Sequence, residues 1–268
     1  MQKKLLEEIT PILEKHADNS DFLSSFARGL IIFEVLSTSK RAQTISDIAK
    51  ETGFPRATVR RGLFTLAELG YVIQDDRYYE LSPKVLMIAH SYINSQTLSS
   101  TAQPILENIT RELNETATMA VLVQNEVIYI ARSSEITQRI MSNTFTIGTH
   151  LPAYCSSMGR VLLSAEPEKR QREILAHSQL IPYTDKTIYE VEPLLQEFKK
   201  VKEQGYAIID QELEIGLCSI AVPVFDRGGK VIASISISTH ILKKSIPEIK
   251  EHFLPGLLKS AALLTSFI

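Results

Sequence analysis

Between Ser24 and Leu36 the apolar residues Phe26, Leu30, Ile31, Phe33 and Val35 recur at helical spacing and predict a largely buried helix, which fades into the polar run Ser37-Thr38-Ser39-Lys40. Thr44-Ile45-Ser46-Asp47 sets an N-cap residue three positions ahead of a carboxylate, so a second helix is expected from there to Gly53. Pro55 suits the first turn of a third helix, predicted to run to Gly70. Tyr71-Val72-Ile73 and Tyr78-Tyr79-Glu80-Leu81, with a turn at Asp75-Asp76, then predict a β-hairpin.

Val85, Leu86, Ile88, Ala89, Tyr92 and Ile93 return to helical spacing inside a polar-flanked segment, expected to be a linker helix. A helix over Gln103 to Asn114 precedes strands over Thr118–Val123 and Val127–Arg132, and a further strand is predicted over Arg139–Ile147. Helices follow over Ser156–Ala165, Glu168–His177 and Val191–Gln204, the last stopped by Gly205. Strands return over Tyr206–Asp210, Cys218–Phe225 and Lys230–Ser238, the last two joined by the turn Asp226-Arg227-Gly228-Gly229. A C-terminal helix from Ser245 to Phe267 is expected to break at Pro255. Grouped strands and helices, without βαβ alternation, make the fold class α+β. The domains are placed over 1–20 (a helical extension), 21–82 (a winged helix-turn-helix), 83–100 (the linker helix) and 101–268 (a ligand-sensing domain).

Length and composition fit that division, because 268 residues with 44% hydrophobic content can fill more than one core. Lys and Arg number 29 against 31 Asp and Glu, so any attraction for nucleic acid must come from a local patch. The N-terminal run Met1 to Ser20 alternates in charge without the apolar core of a signal peptide, and no apolar run approaches the roughly 18 residues of a membrane span. A cytoplasmic protein without membrane attachment is expected. Cys155 and Cys218 form no C-x-x-C pair and read as free thiols, and the histidines lack metal-ligand spacing, so neither metal nor cofactor is expected.

The second and third helices meet as a helix-turn-helix. Ala49 is small where helices cross, Gly53 can take a positive φ in the turn, and Ile48, Val59 and Leu63 supply the apolar wedge. On a helical wheel Val59, Leu63 and Leu66 point inward, Ala57 and Arg61 point away, and Thr58 and Arg60 flank the outer face. Arginine on that face can pair with guanine, and an alanine methyl can touch thymine in the major groove. Arg56, nearer the inward side of the wheel, is assigned to phosphate, and Arg77 near the hairpin tip is a candidate wing contact beside Asp75 and Asp76. The arginines could equally form a solvated face; the hairpin that follows favours DNA. Phe64, also on the outer side, has no role in this reading.

Ser25-Phe26-Ala27-Arg28-Gly29-Leu30, the motif Gly53-Phe54-Pro55-Arg56-Ala57-Thr58-Val59-Arg60-Arg61 and Leu69-Gly70-Tyr71-Val72 resemble the N-terminal domain of IclR-type transcription regulators. The likeness continues through the run from Leu151 to Leu163, Gly205-Tyr206, Asp210-Gln211-Glu212, Gly216-Leu217 and Ile235-Ser236-Ile237-Ser238. Arg139-Ile140-Met141-Ser142 leading to Leu151-Pro152-Ala153-Tyr154 is most similar to the branch that senses aromatic acids such as protocatechuate or hydroxybenzoates, often as activators. The resemblance implies a GAF-like effector domain, homodimers through the DNA-binding and linker region, tetramers through the effector domains, and contact with RNA polymerase in an activator. It also implies effector contacts at Ser156, Ser157, Met158 and Gly159, at Asp210, at Ser219, and at Ser236 and Ser238. Family members commonly carry cysteine at the position of Ser219; here Cys218 stands one residue earlier, so both remain candidates.

The residues themselves point the same way. A helix start at Ser156–Gly159 has amides and a dipole suited to a carboxylate, and Ser236 and Ser238 share one face of a strand. That serine face could also be a solvated one. Arg132 is either a carboxylate partner or a strand-end surface residue, and Tyr154 either stacks on an aromatic ligand or packs in the core. The expected function is a ligand-responsive regulator of aromatic-acid catabolism, an activator binding double-stranded operator DNA. The rivals are a repressor answering an aliphatic acid, an organic-acid enzyme using Cys155 or His150, and a protein-interaction adaptor; the sequence contains no G-x-G-x-x-G, P-loop or G-x-S-x-G motif.

Overall fold

A computed structural model describes residues 11–39, 41–95, 97–133 and 145–268. The chain divides into two compact units, Met1–Tyr92 and Ile93–Ile268.

In the first unit, residues 11–15 of the expected helical extension are helical and 16–20 are not, and residues 1–10 lie outside the described residues. Helix α1 (Ser24–Thr38) buries Ile31, Ile32, Val35 and Leu36. The expectation that Phe26 and Leu30 are buried is corrected: they are 64% and 46% exposed, because both lie on the side of the helix turned away from Ile32 and Leu36. Helix α2 (Ile45–Thr52) opens on a full capping box, in which the Asp47 amide donates to Thr44 Oγ1 (3.3 Å) and the Thr44 amide donates to Asp47 Oδ2 (3.0 Å). Gly53 closes it with φ 68°, the left-handed turn expected there. Helix α3 (Arg56–Glu68) crosses α1 so closely at Gly62 that a methyl group there would meet the Ile32 side chain.

The hairpin of β2 (Val72–Asp75) and β3 (Tyr78–Leu81) turns at Asp76-Arg77, one residue later than expected, with Asp76 at φ 51°. A two-residue strand, β1 (Gln43–Thr44), pairs with Tyr79 and Tyr78 and makes the sheet three-stranded. So short a strand leaves no alternation to read. Helix α4 (Val85–Ser95) follows.

The boundary between the units falls within α4, and the first helix wholly in the second unit is α5 (Thr97–Leu113), which starts earlier than expected. Its sheet contains β4 (Ala117–Val123), β5 (Glu126–Arg132), β6 (His150–Pro152), β7 (Ala207–Asp210), β8 (Leu217–Phe225) and β9 (Val231–His240). The six strands run in the order β6-β5-β4-β9-β8-β7, every neighbour antiparallel. The strand expected over Arg139–Ile147 is corrected in part: residues 139–144 lie outside the described set, and 145–147 are not in a strand. Among the described residues, the strand next to β5 on its outer edge is His150–Pro152, where Leu151 pairs with Val127.

Each face of this sheet is covered. On one side Ile220, Val222, Ile235 and Ile237 pack with Leu106 and Ile109 of α5 and with Phe253 and Leu257 of α9 (Ile246–Phe267). On the other, Ala120, Tyr129 and Ala221 pack with Leu163 of α6 (Ser157–Ala165) and Phe198 of α8 (Val191–Gln204), with α7 (Glu168–Ala176) contributing Ile174 and Leu175. Strand alternation therefore separates two interiors rather than a core from solvent. The break expected at Pro255 is also corrected, since α9 runs through it. The carbonyl that a proline at this position leaves without a donor is that of Glu251, an exposed residue within reach of water.

Candidate DNA interface and ligand cavity

Val59 and Leu63 are fully buried against α1 and α2, which fixes the rotation of α3 about its axis. Ala57, Arg60 and Arg61 are consequently exposed on its opposite side, and Thr58 is half-buried beside them. Arg56 is exposed as well, at the first residue of the helix, rather than tucked toward the inward side. Arg77 is exposed at the hairpin turn, its guanidinium 5.2 Å from the Tyr78 ring centroid and donating to Tyr78 Oη at 3.2 Å. The unit thus gathers Arg56, Ala57, Arg60 and Arg61 on one helix surface, with Thr58 at its margin.

In the second unit, the space between the sheet and the start of α6 is a cavity of 30 Å³. Ser156, Ser157, Met158, Ser219, Ser236 and Ser238, all named from sequence, line it. Its remaining walls are Tyr129, Phe145, Leu151, Cys155, Ile209, Leu213 and Leu217. Sequence reasoning missed these. The available signal was Tyr129 itself, a large amphipathic side chain on the serine-bearing side of the sheet; its ring meets Phe145 edge-on at 6.0 Å.

Several expected contacts lie off the cavity lining. Gly159 sits where any side chain would overlap the Ala153 backbone, so its small size answers a close crossing of the chain; its amide donates to Ser156 Oγ at 3.2 Å. The Tyr154 hydroxyl donates to the Ile181 carbonyl (2.7 Å) and accepts from the Ile181 amide (2.8 Å), which fixes that ring as a buried strut. Arg132 ends β5, half-buried, and is not on the lining. Asp210 binds Lys186 Nζ at 2.6 Å and accepts from Cys218 Sγ at 3.4 Å. Burial opposes the Asp210 charge, but the hydrogen bonds from Lys186, Gln211 and Cys218 hold its pKa below the ordinary value. Cys218 points into the core on the α5 and α9 side, so of the two candidates on β8 it is Ser219 that faces the cavity.

Cys155, on the lining, has its thiol pushed up to about 12 by burial, which leaves it protonated and a poor nucleophile at neutral pH. His150 Nδ1 is paired with Glu126 at 2.9 Å.

Behind the lining is a buried ion pair that sequence reasoning did not identify. Arg160, 2% exposed, donates to Glu212 Oε2 at 2.6 Å and through Nε to the Tyr154 carbonyl at 3.0 Å. Glu212 Oε2 also accepts from the Ile188 amide at 3.0 Å. Burial raises the Glu212 carboxyl above its ordinary value against the pull of Arg160. The pair ties the start of α6 to the β7–β8 loop, which contributes Leu213 to the cavity.

A winged helix-turn-helix with an arginine-bearing helix face, together with a sheet domain enclosing a hydroxyl-lined cavity, defines a DNA-binding regulator with a ligand-sensing domain. The chain belongs to the IclR family of bacterial transcriptional regulators: the IclR helix-turn-helix domain matches residues 25–76 and the IclR C-terminal domain matches residues 90–265. It is similar to the Pca regulon regulatory protein of Pseudomonas putida, 42% identical over 249 residues that cover 93% of this chain and 85% of that one. It is also similar to the p-hydroxybenzoate hydroxylase transcriptional activator of Acinetobacter baylyi, 30% identical over 251 residues, with 92% and 93% covered. Among solved structures it resembles an IclR homologue complexed with 4-hydroxybenzoate from Microbacterium hydrocarbonoxydans, with a TM-score of 0.74 and 25% identity over 91% of this chain and 98% of that one. No helix among the described residues is long and apolar enough to cross a membrane.

Proposed function

We propose that this protein is a cytoplasmic activator of genes for the catabolism of an aromatic carboxylic acid, and that a hydroxylated benzoate binds in the cavity between α6 and the sheet. The observation that carries this reading is the lining itself: Tyr129 and Phe145 offer aromatic surface for a ring, and five serine hydroxyls offer hydrogen bonds for its polar groups. The p-hydroxybenzoate regulator and the 4-hydroxybenzoate complex among its relatives support the effector class, and the former supports activation. A cavity of 30 Å³ holds about one water molecule, so a benzoate requires the Tyr129, Phe145 and Met158 side chains to move apart. That coupling of occupancy to packing is what a sensing domain needs.

In the first unit Arg61, Arg60, Ala57 and Thr58 read bases, and Arg56 and Arg77 hold phosphates. Residues 83–100 link this domain to the sensing domain over 101–268. The exposed apolar residues Leu23 just before α1, Phe26 and Leu30 on α1, and Leu86, Met87, Ile88 and Tyr92 on α4, support a homodimer seam. Such a dimer places two recognition helices one DNA turn apart, about 34 Å, or a multiple of it. Pairing of dimers into a tetramer and contact with RNA polymerase complete the proposal.

A thermal-shift series with benzoates and with short aliphatic acids tests it. An effector at about 100 times its dissociation constant adds roughly 2.7 kcal/mol, a rise of several degrees. Stabilisation by hydroxybenzoates alone supports the assignment; stabilisation by aliphatic acids alone, or by neither, overturns it.

A further inference from the structure

We propose that Phe64 is a base-reading residue whose ring meets the methyl group of a thymine in the major groove. The proposal rests on the DNA-interface reading above. Phe64 is 66% exposed on α3, although the same helix buries Val59 and Leu63 completely. Isolated apolar side chains are ordinary on a protein surface, so exposure alone decides nothing. Its neighbours decide the matter.

Arg60 is four residues before Phe64 and Arg61 three, which makes both its immediate neighbours on the helix surface, and Ala57 lies on the same face two turns earlier. Helical side chains lean toward the N-terminus, so the ring covers the turn that carries the two arginines. A second copy of this chain docked here would bring two sets of arginines together and repel itself. A duplex offers those arginines phosphate and guanine acceptors, and offers the ring an apolar methyl at the same groove depth. Such a contact is specific in one direction, because only thymine among the four bases carries a methyl in that groove.

The test uses the full-length protein and a duplex that it selects from a random pool. Phe64→Ala is expected to weaken binding to that duplex roughly tenfold, the scale of one lost base contact. The wild-type protein should lose a comparable factor when the contacted dT is replaced by dU, and the variant should lose nothing further. If wild type loses affinity on the dU duplex while the variant binds the dT and dU duplexes alike, the ring and the methyl group are coupled as proposed; if the variant is weakened equally on both relative to wild type, or if wild type binds both alike, the methyl contact is excluded. If Phe64→Ala binds like wild type while Arg61→Ala is impaired, the inference fails and the interface reading stands. If both variants bind like wild type, the interface reading fails too. If Phe64→Ala loses affinity together with a drop in oligomer mass by sedimentation, the ring belongs to a protein contact and the proposal is overturned.

Discussion

Ser219 of β8 stands directly opposite Ser238 of β9 in the antiparallel register, and both line the cavity. Directly opposed residues share a face of the sheet. Cys218, one position earlier and paired with Thr239, belongs to the other face. Removing either serine hydroxyl should cost one hydrogen bond to the effector, roughly 0.5–1.5 kcal/mol or about two- to tenfold in affinity. Titration of Ser219→Ala and Ser238→Ala with the hydroxybenzoate that gives the largest thermal shift checks this. Cys218→Ala should lower the melting temperature and leave that affinity unchanged; the opposite pattern would exchange the roles of the two neighbours.

Arg160 and Glu212 should behave as a unit. Arg160→Met leaves a buried carboxylate without its cation, at a cost of roughly 3–5 kcal/mol, whereas the double variant Arg160→Met with Glu212→Leu should recover much of that loss. Urea unfolding of the single and double variants measures the difference. Additive effects would show that the two side chains are not coupled.

The capping box of α2 predicts a pH dependence confined to the first unit. Hydrogen bonds from Thr44 hold the Asp47 carboxyl below its ordinary value, so its contribution is present above the unfolded value, about 4, and is lost as pH falls through the folded one. Thr44→Ala should cost about 1 kcal/mol at neutral pH. Asp47→Asn should be less stable than wild type at pH 7, and the gap should close below pH 4. A gap that persists in acid would mean that the carboxylate charge is not what stabilises the cap.

What the sequence disclosed follows from the range of each interaction. Thr44, Asp47 and Gly53 act within a few residues, and the buried side of α3 repeats at helical period, so the helix-turn-helix was legible. Alternation on β9 was legible too, but not its meaning. Ser236 is 2% exposed and Ile235 is fully buried, because helices cover both faces, and that depends on chain far away in sequence. Arg160 illustrates the limit: a cation beside Val161 and Leu162 looks out of place until Glu212, 52 residues later, arrives to neutralise it. Phe26 and Leu30 fit a helical period yet face outward, since apolar spacing identifies a stripe and not what covers it. Pro255 predicts a break, but a long helix packed through Phe253, Leu257 and Ala261 outweighs one missing hydrogen bond.

Arg56 and Arg61 should separate positioning from reading. Arg56 is exposed at the N-terminus of α3, where the helix dipole favours an anion; Arg61 projects from the outer face beyond the first turn. A phosphate contact releases counterions whatever the base sequence, so Arg56→Ala should weaken selected and unrelated duplexes alike and reduce the slope of log affinity against log salt by about 1. A bidentate guanine contact is worth roughly 1–3 kcal/mol of discrimination, so Arg61→Ala should weaken the selected duplex by about ten- to a hundredfold and bring it closer to unrelated DNA. Fluorescence-anisotropy titrations of both variants over a salt series measure the two effects together. If Arg61→Ala leaves the ratio of selected to unrelated affinity unchanged and alters only the salt slope, Arg61 is a second phosphate ligand, and the bases are read by Arg60 and its neighbours instead.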